Sequence, residues 1–149
     1  MVWAAISSVG RVKICFVSKK MNGADYRYLL RRELLPFIRR HRARNIAFQQ
    51  DGAPIHRARK TLHWIQRRNI PVLEWPACSP DLNIIENVWG VMVQKIYGRN
   101  QMYRNVKDLK KAIVAAWKEV DQTLLDNLYL SMDSRLFELT RNNGGPTNY

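Results

Sequence analysis

Amphipathic periodicity dominates the C-terminal half of the chain. Ile85, Val88, Trp89, Met92, Val93 and Ile96 fall at i, i+3, i+4, i+7, i+8 and i+11, the spacing of one helical face. Leu109, Ala112, Ile113, Ala116, Trp117 and Val120 repeat the pattern in a second helix. A third helix runs from about Thr123 to Leu139, and Gly144-Gly145-Pro146 ends it. The N-terminal half reads differently. Val2–Ser8 and Val12–Ser18 read as strands around a turn at Gly10. Ile14, Cys15, Phe16 and Val17 form a continuous apolar run, as expected of a strand covered on both faces.

Asn22 is placed to cap a helix reaching about Arg42, with Tyr26, Leu30, Leu34 and Phe37 on one stripe. Pro36 should kink that helix or end it early. Asn45–Asp51 reads as a short strand with Ile46 and Phe48 on one face. After Pro54 comes a basic helix from about His56 to Arg68, then a short strand Val72–Trp75 closed by Pro76 and Pro80. Strands alternating with helices, followed by helices alone, predict an α/β fold: a mixed sheet with flanking helices, in a single domain over 1–149.

Charge then changes the picture. The formal net charge is +13, and residues 1–70 carry 16 Lys and Arg against only Asp25, Glu33 and Asp51. Residues 71–149 hold nine of each sign, so the whole excess lies in the first half. A face this basic attracts polyanions, of which nucleic acid is the commonest. Arg39, Arg40, Arg42 and Arg44 form the densest run, readable as a track for a DNA backbone, a nuclear address or a solvated helix end. Arg57, Arg59, Lys60, Arg67 and Arg68 decorate the next helix, and on charge grounds phosphate contact is the favoured reading there. No apolar run approaches the roughly 18 residues that span a bilayer, so no membrane partner is expected. Cys15 and Cys78 lack the number for a disulfide framework and the spacing for a metal site. Trp3, Trp64, Trp75, Trp89 and Trp117 fit core faces.

Two carboxylates stand out by position. Asp51 ends a strand in Phe48-Gln49-Gln50-Asp51-Gly52-Ala53-Pro54, and Glu86 lies in the first turn of a strongly amphipathic helix. A strand-end Asp and a helix Glu can converge on a divalent cation, and such hard oxygen ligands suit Mg²⁺ or Mn²⁺. The plainer readings are a turn-forming Asp before Gly and an acid near a helix N-terminus. Asp81, in the preceding turn, fits as the cap of the Glu86 helix.

The surrounding residues sharpen this. Phe48-Gln49-Gln50-Asp51-Gly52-Ala53-Pro54-Ile55-His56 resembles the second-aspartate motif of mariner-type DNA transposases. Leu73-Glu74-Trp75-Pro76-Ala77-Cys78-Ser79-Pro80-Asp81-Leu82-Asn83-Ile84-Ile85-Glu86-Asn87-Val88-Trp89 resembles their glutamate motif. The 34 residues between Asp51 and Glu86 match the spacing of the Tc-like branch. Val2-Trp3-Ala4-Ala5-Ile6-Ser7 is similar to the strand after the family's first aspartate, and Gly144-Gly145-Pro146-Thr147-Asn148-Tyr149 is similar to its C-terminal signature.

The resemblance implies a ribonuclease H-like fold and the C-terminal part of a DDE catalytic domain. It also implies two Mg²⁺ (or Mn²⁺) ions acting on DNA phosphodiesters in cut-and-paste transposition. Carried over by position, Asp51 is the second catalytic and metal-binding carboxylate and Glu86 the third; His56 is the motif histidine near the DNA or the site, or else a polar residue at a helix start. DNA (transposon ends and target) is the implied partner, with room for a homodimer and a nuclear location. The strand with the first catalytic Asp would lie upstream of Met1, since Asp25 falls early in a surface helix. The expectation is therefore a domain truncated at its N-terminus and inactive on its own, the alternative being a non-enzymatic DNA-binding or oligomerising remnant. Two positions depart from the family pattern: Gly52 stands where Asn is usual and Ile84 where Pro is usual.

Overall fold

The computed structural model describes residues 1–76 and 79–145, apart from the side chain of Arg99. The chain forms two compact units, Met1–Ala5 with Cys15–Ser79 and Ile6–Ile14 with Pro80–Tyr149.

The N-terminal hairpin exists, in two short pieces. Strand β1 (Val2–Trp3) pairs antiparallel with β4 (Cys15–Phe16), and β2 (Ile6–Ser7) pairs antiparallel with β3 (Gly10–Arg11). The first ladder belongs to one unit and the second to the other, so the two long predicted strands reduce to two-residue pairings. Gly10, at φ 134°, supplies the turn backbone that a side chain would resist. Ser7 Oγ helps close it by accepting from the Val9 amide at 3.2 Å and donating to the Gly10 carbonyl at 3.1 Å. The run Ile14–Val17 is not covered on both faces: Ile14 and Cys15 are buried, while Phe16 is 38% exposed.

The unit containing Asp51 is built around one helical hairpin. Helix α1 (Gly23–Leu29) starts at Asn22, whose Oδ1 accepts from the Ala24 and Asp25 amides while Asp25 answers back to the Asn22 amide. This is a reciprocal capping box. The helix survives Pro36. A π-helical turn over Leu30–Leu34 precedes α2 (Leu35–Arg40), so Pro36 enters at the start of a new helix, where its missing N–H costs little. The wider turn also rotates the apolar stripe by about one residue. Leu35 is therefore buried beside Leu34, and Phe37 is only partly buried against the ring of His41.

The next predicted helix begins earlier and is interrupted. Helix α3 (Pro54–Arg57) has Pro54 at its first position, and extended backbone at Ala58 (ψ 130°) separates it from α4 (Arg59–Gln66). The strands expected at Asn45–Asp51 and Val72–Trp75 meet only as a parallel bridge between Phe48 and Val72. The Phe48 amide donates to the Pro71 carbonyl at 2.7 Å, and the Leu73 amide donates to the Phe48 carbonyl at 3.0 Å. Pro71 and Pro76 lack amides, which leaves little backbone with which to extend the ladder. Cys15, Tyr26, Leu29, Leu30, Leu34, Leu35, Phe48, Ile65 and Ile70 form the core of this unit.

The second unit follows its periodicity closely. Helix α5 (Ile85–Tyr97) buries Val88, Met92 and Ile96, with Val93 left 53% exposed at the stripe's edge. Helix α6 (Val106–Lys118) buries Ala116 and Trp117, with Asn105 capping through the Asp108 amide. Trp117 stacks on Trp89 of α5 at 5.7 Å between ring centres. Helix α7 (Gln122–Arg141) is capped by Asp121 and leaves through Asn143 and Gly144 in left-handed backbone. The last four residues of the expected C-terminal signature, and Ala77 and Cys78 of the glutamate motif, lie outside the described residues.

Candidate active site

Asp51 lies three residues beyond the Phe48 bridge, in the loop before α3. Its Oδ1 accepts from the Ala53 amide at 2.9 Å, an Asx-type turn, and lies 2.6 Å from His56 Nδ1. A carboxylate only accepts, so the proton of that short bond sits on Nδ1. Both bonds go to Oδ1; among the described residues, neither uses Oδ2. The Asp51 side chain is 63% exposed, against 16% for His56. A half-committed, outward-facing carboxylate is thus held by a largely buried imidazole.

The imidazole is itself fixed. Its ring lies 4.2 Å from the Tyr26 ring centre to centre, tilted by 31°. The Tyr26 hydroxyl donates to Gln50 Oε1 at 2.9 Å, and Gln50 Nε2 donates to the His56 carbonyl at 3.3 Å. Tyr26, Gln50 and His56 therefore close a circuit that tethers the Asp51 loop to α1. Tyr26 is 1% exposed. Its hydroxyl is held well above the ordinary phenol range, first by burial and then by the Asp51 charge. Sequence reasoning placed Tyr26 in the core and missed that its hydroxyl, together with Gln50, holds the site loop. No spacing rule reports a contact across 24 residues.

Gly52 keeps ordinary backbone, and a Cβ there would come no closer than 3.9 Å to Arg57 Cδ. The position that is Asn in the family has room for a side chain, so the departure removes an amide without distorting the loop.

Glu86 stands in the first turn of α5, exposed, with its amide donating to the Asn83 carbonyl at 3.0 Å. Asp81 does not cap this helix. It sits in a 3₁₀ turn, Pro80–Leu82, and Ile84 occupies the cap position with no side-chain bond. The start of α5 is fixed from elsewhere. Arg135 of α7 is only 1% exposed; its Nη1 donates to the Asp81 carbonyl, its Nη2 to Asn87 Oδ1 at 3.1 Å, and its Nε to Ser131 Oγ at 3.0 Å. This residue was missed although the sequence held a signal. Leu125, Leu128, Met132, Arg135 and Leu139 share one heptad-spaced stripe of α7, and a lone Arg on an apolar stripe marks a buried polar anchor.

The basic candidates belong to the same unit as Asp51, and all but His56 and the half-buried Arg68 are exposed. Arg39 and Arg40 end α2, Arg42 and Arg44 lie in a 3₁₀ turn, Arg57 ends α3, and Arg59 and Lys60 open α4. Arg39 and Lys60 line one cleft, which Arg40, Arg42, Arg44, Arg57 and Arg59 do not reach.

The sequence pattern of a family described as DDE superfamily endonuclease matches residues 1–110, a span that includes Asp51, His56 and Glu86. The chain belongs to the DDE endonuclease superfamily. All of this DDE chain aligns with the Tc3 transposase of Caenorhabditis elegans at 42% identity and with the Tcb1 transposase of Caenorhabditis briggsae at 32%. It spans about half the length of these relatives, 45% of the first and 54% of the second. The catalytic domain of Mos1 transposase, solved with raltegravir and Mn, superposes over 99% of this chain and 76% of its own with a TM-score of 0.84 at 19% identity. That likeness shows the ribonuclease H-like α/β fold. The mariner/Tc-like character read from the two motifs is borne out by the family match and these relatives.

Proposed function

We propose that this DDE chain supplies two carboxylates, Asp51 and Glu86, to a divalent-metal centre that cuts and joins DNA phosphodiesters in cut-and-paste transposition. The observation that carries the reading is the Asp51 loop. One carboxylate oxygen is fixed by the Ala53 amide and His56, and both bonds leave Oδ2 out. Hard carboxylate oxygens on Asp51 and Glu86 suit Mg²⁺ or Mn²⁺. Among the described residues, no group of three His, Cys, Asp or Glu side chains is placed to hold an ion. Asp51 and Glu86 would hold such an ion, which would supply activation of a water or 3′-hydroxyl nucleophile and stabilisation of the leaving oxygen. His56 orients Asp51 and stays clear of the reacting atoms in this reading. Transposon ends and target DNA would be the substrates. The excess basic charge of residues 1–70 supports that partner and a nuclear place of work.

The test is a double-mutant cycle on Mn²⁺ affinity, measured by calorimetry with and without a short DNA duplex. Asp51→Ala and Glu86→Ala should each weaken binding about tenfold or more, as losses of metal-site groups do. The double variant should be little worse than either single, because groups sharing one ion couple. Duplex should raise the affinity of the parent chain. Fully additive losses, or Mn²⁺ binding indifferent to both substitutions, would refute the shared site.

A further inference from the structure

Helix α4 carries two distinct faces. Thr61 and Ile65 point into the core. Lys60, His63, Trp64 and Arg67 recur at i, i+3, i+4 and i+7 and share an adjoining side, exposed except at Trp64, which also packs against the core. With Arg39 and Arg68 they line an open cleft of about 620 Å³, and no acidic residue contributes to its lining. The cleft is built on a rigid element. The Arg68 guanidinium lies 3.8 Å from the Trp64 ring centre and donates to the Trp64 carbonyl at 3.2 Å. Such stacking fixes a side chain that is otherwise costly to order.

We propose that this cleft is a second DNA contact, separate from the carboxylates, which grips consecutive backbone phosphates without reading sequence. The inference rests on the reading above only in taking DNA as the polyanion. Several observations favour backbone over other ligands. The cleft is open and, at about 620 Å³, larger than one small anion fills. Arg68 covers one face of Trp64, so that face is closed to a stacking base and serves to aim the guanidinium. The cations also crowd one another. Arg68 is held below the ordinary guanidinium range, first by burial and then by the charges of Arg31, Arg67 and Arg39. A phosphate among these groups would relieve the repulsion that they impose on one another. Trp64 has two roles, packing against the core and carrying Arg68.

Fluorescence anisotropy of a labelled duplex of arbitrary sequence, titrated across salt concentration, tests this. Replacing Arg39, Arg67 and Arg68 together by Ala should lower the slope of log affinity against log salt by about 2–3 units, near 0.9 per lost phosphate contact. Arg68→Lys keeps the charge and should change the slope by less than about one unit while weakening binding severalfold. Replacing the exposed Arg104, Lys107 and Arg141 by Ala removes the same charge elsewhere and should alter the slope by less than about one unit. Equal slopes for the two triple variants would overturn the cleft as a DNA site. So would competition by polyglutamate as strong as by unlabelled duplex, which would make it an acidic-protein site. The Mn²⁺ cycle reads the carboxylates independently. A failed slope with an intact cycle sinks the cleft alone, and the reverse sinks the metal centre alone.

Discussion

Arg135→Ala should cost the chain about 3–5 kcal/mol of stability, the largest effect expected of any surface-distant substitution in the second unit. Arg135 is the one charged residue buried among the described residues, at 1% exposure. Its guanidinium satisfies the Asp81 carbonyl and Asn87 Oδ1 at once, and its Nε bonds Ser131, whose hydroxyl donates to the Leu128 carbonyl at 2.6 Å. Truncation strips those acceptors of their donor inside a packed region and leaves a void the length of the side chain. Guanidinium denaturation monitored by tryptophan fluorescence reads the loss. Arg135→Met fills most of the volume without the bonds, and should recover a substantial part of the stability. The functional consequence is local. With Asp81 and Asn87 released, the turn that delivers Glu86 should fray. Hydrogen exchange at the Glu86 amide, which bonds the Asn83 carbonyl at 3.0 Å, should accelerate more than exchange in mid-α5. A loss below about 1 kcal/mol, or acceleration spread evenly along α5, would mean that Arg135 does not hold that end.

Tyr26→Ala should cost about 3–5 kcal/mol, since it empties an aromatic position in the core of the Asp51 unit. Tyr26→Phe separates the hydroxyl from the ring. It keeps the stack on His56 and removes only the bond to Gln50, so about 1 kcal/mol is expected. The same substitution tests the ionisation. Burial raises the hydroxyl's pKa in the folded state above its unfolded value near 10. The folded state therefore holds that proton more tightly. Stability from this group is complete below about pH 10 and is lost as pH rises beyond it toward the folded value. The parent chain should lose stability above about pH 10, and Tyr26→Phe should lose less. Hydrogen exchange at Ala53, whose amide bonds Asp51 Oδ1, should rise in Tyr26→Phe if the circuit holds the loop. Equal stabilities for the Phe and Ala variants, or identical alkaline profiles for parent and Phe, would contradict this account.

How far the chain could be read in advance depended on the range of the interactions. Helices α5, α6 and α7 were legible because their burial is set by local period, and α1 because Asn22 and Asp25 announce a cap within four residues. The strands were overread. Their extent depends on partners elsewhere in the chain, and only two-residue ladders and the Phe48–Val72 bridge were paid for by packing. Pro36 marked an interruption of the first long helix but not its π-helical form, and the break at Ala58 left no clear mark. At the site, the two carboxylates were found from motif and position. The His56 bond to Asp51, the Tyr26–Gln50 tether and the Arg135 anchor are side-chain contacts that a linear spacing does not encode. Asp81 was misassigned for a similar reason: a residue five before Glu86 looks like a cap until a 3₁₀ turn moves it out of place.

Iron-directed cleavage of the chain checks the proposal that Asp51 and Glu86 serve the same ion. Fe²⁺ in place of Mg²⁺, with ascorbate and peroxide, releases radicals that cut peptide close to where the metal sits. Scission is expected both around residues 48–54 and around 83–89, suppressed by excess Mg²⁺ and lost at both places in Asp51→Ala. Scission near one carboxylate only, or cutting at the Glu86 segment that persists in Asp51→Ala, would contradict it.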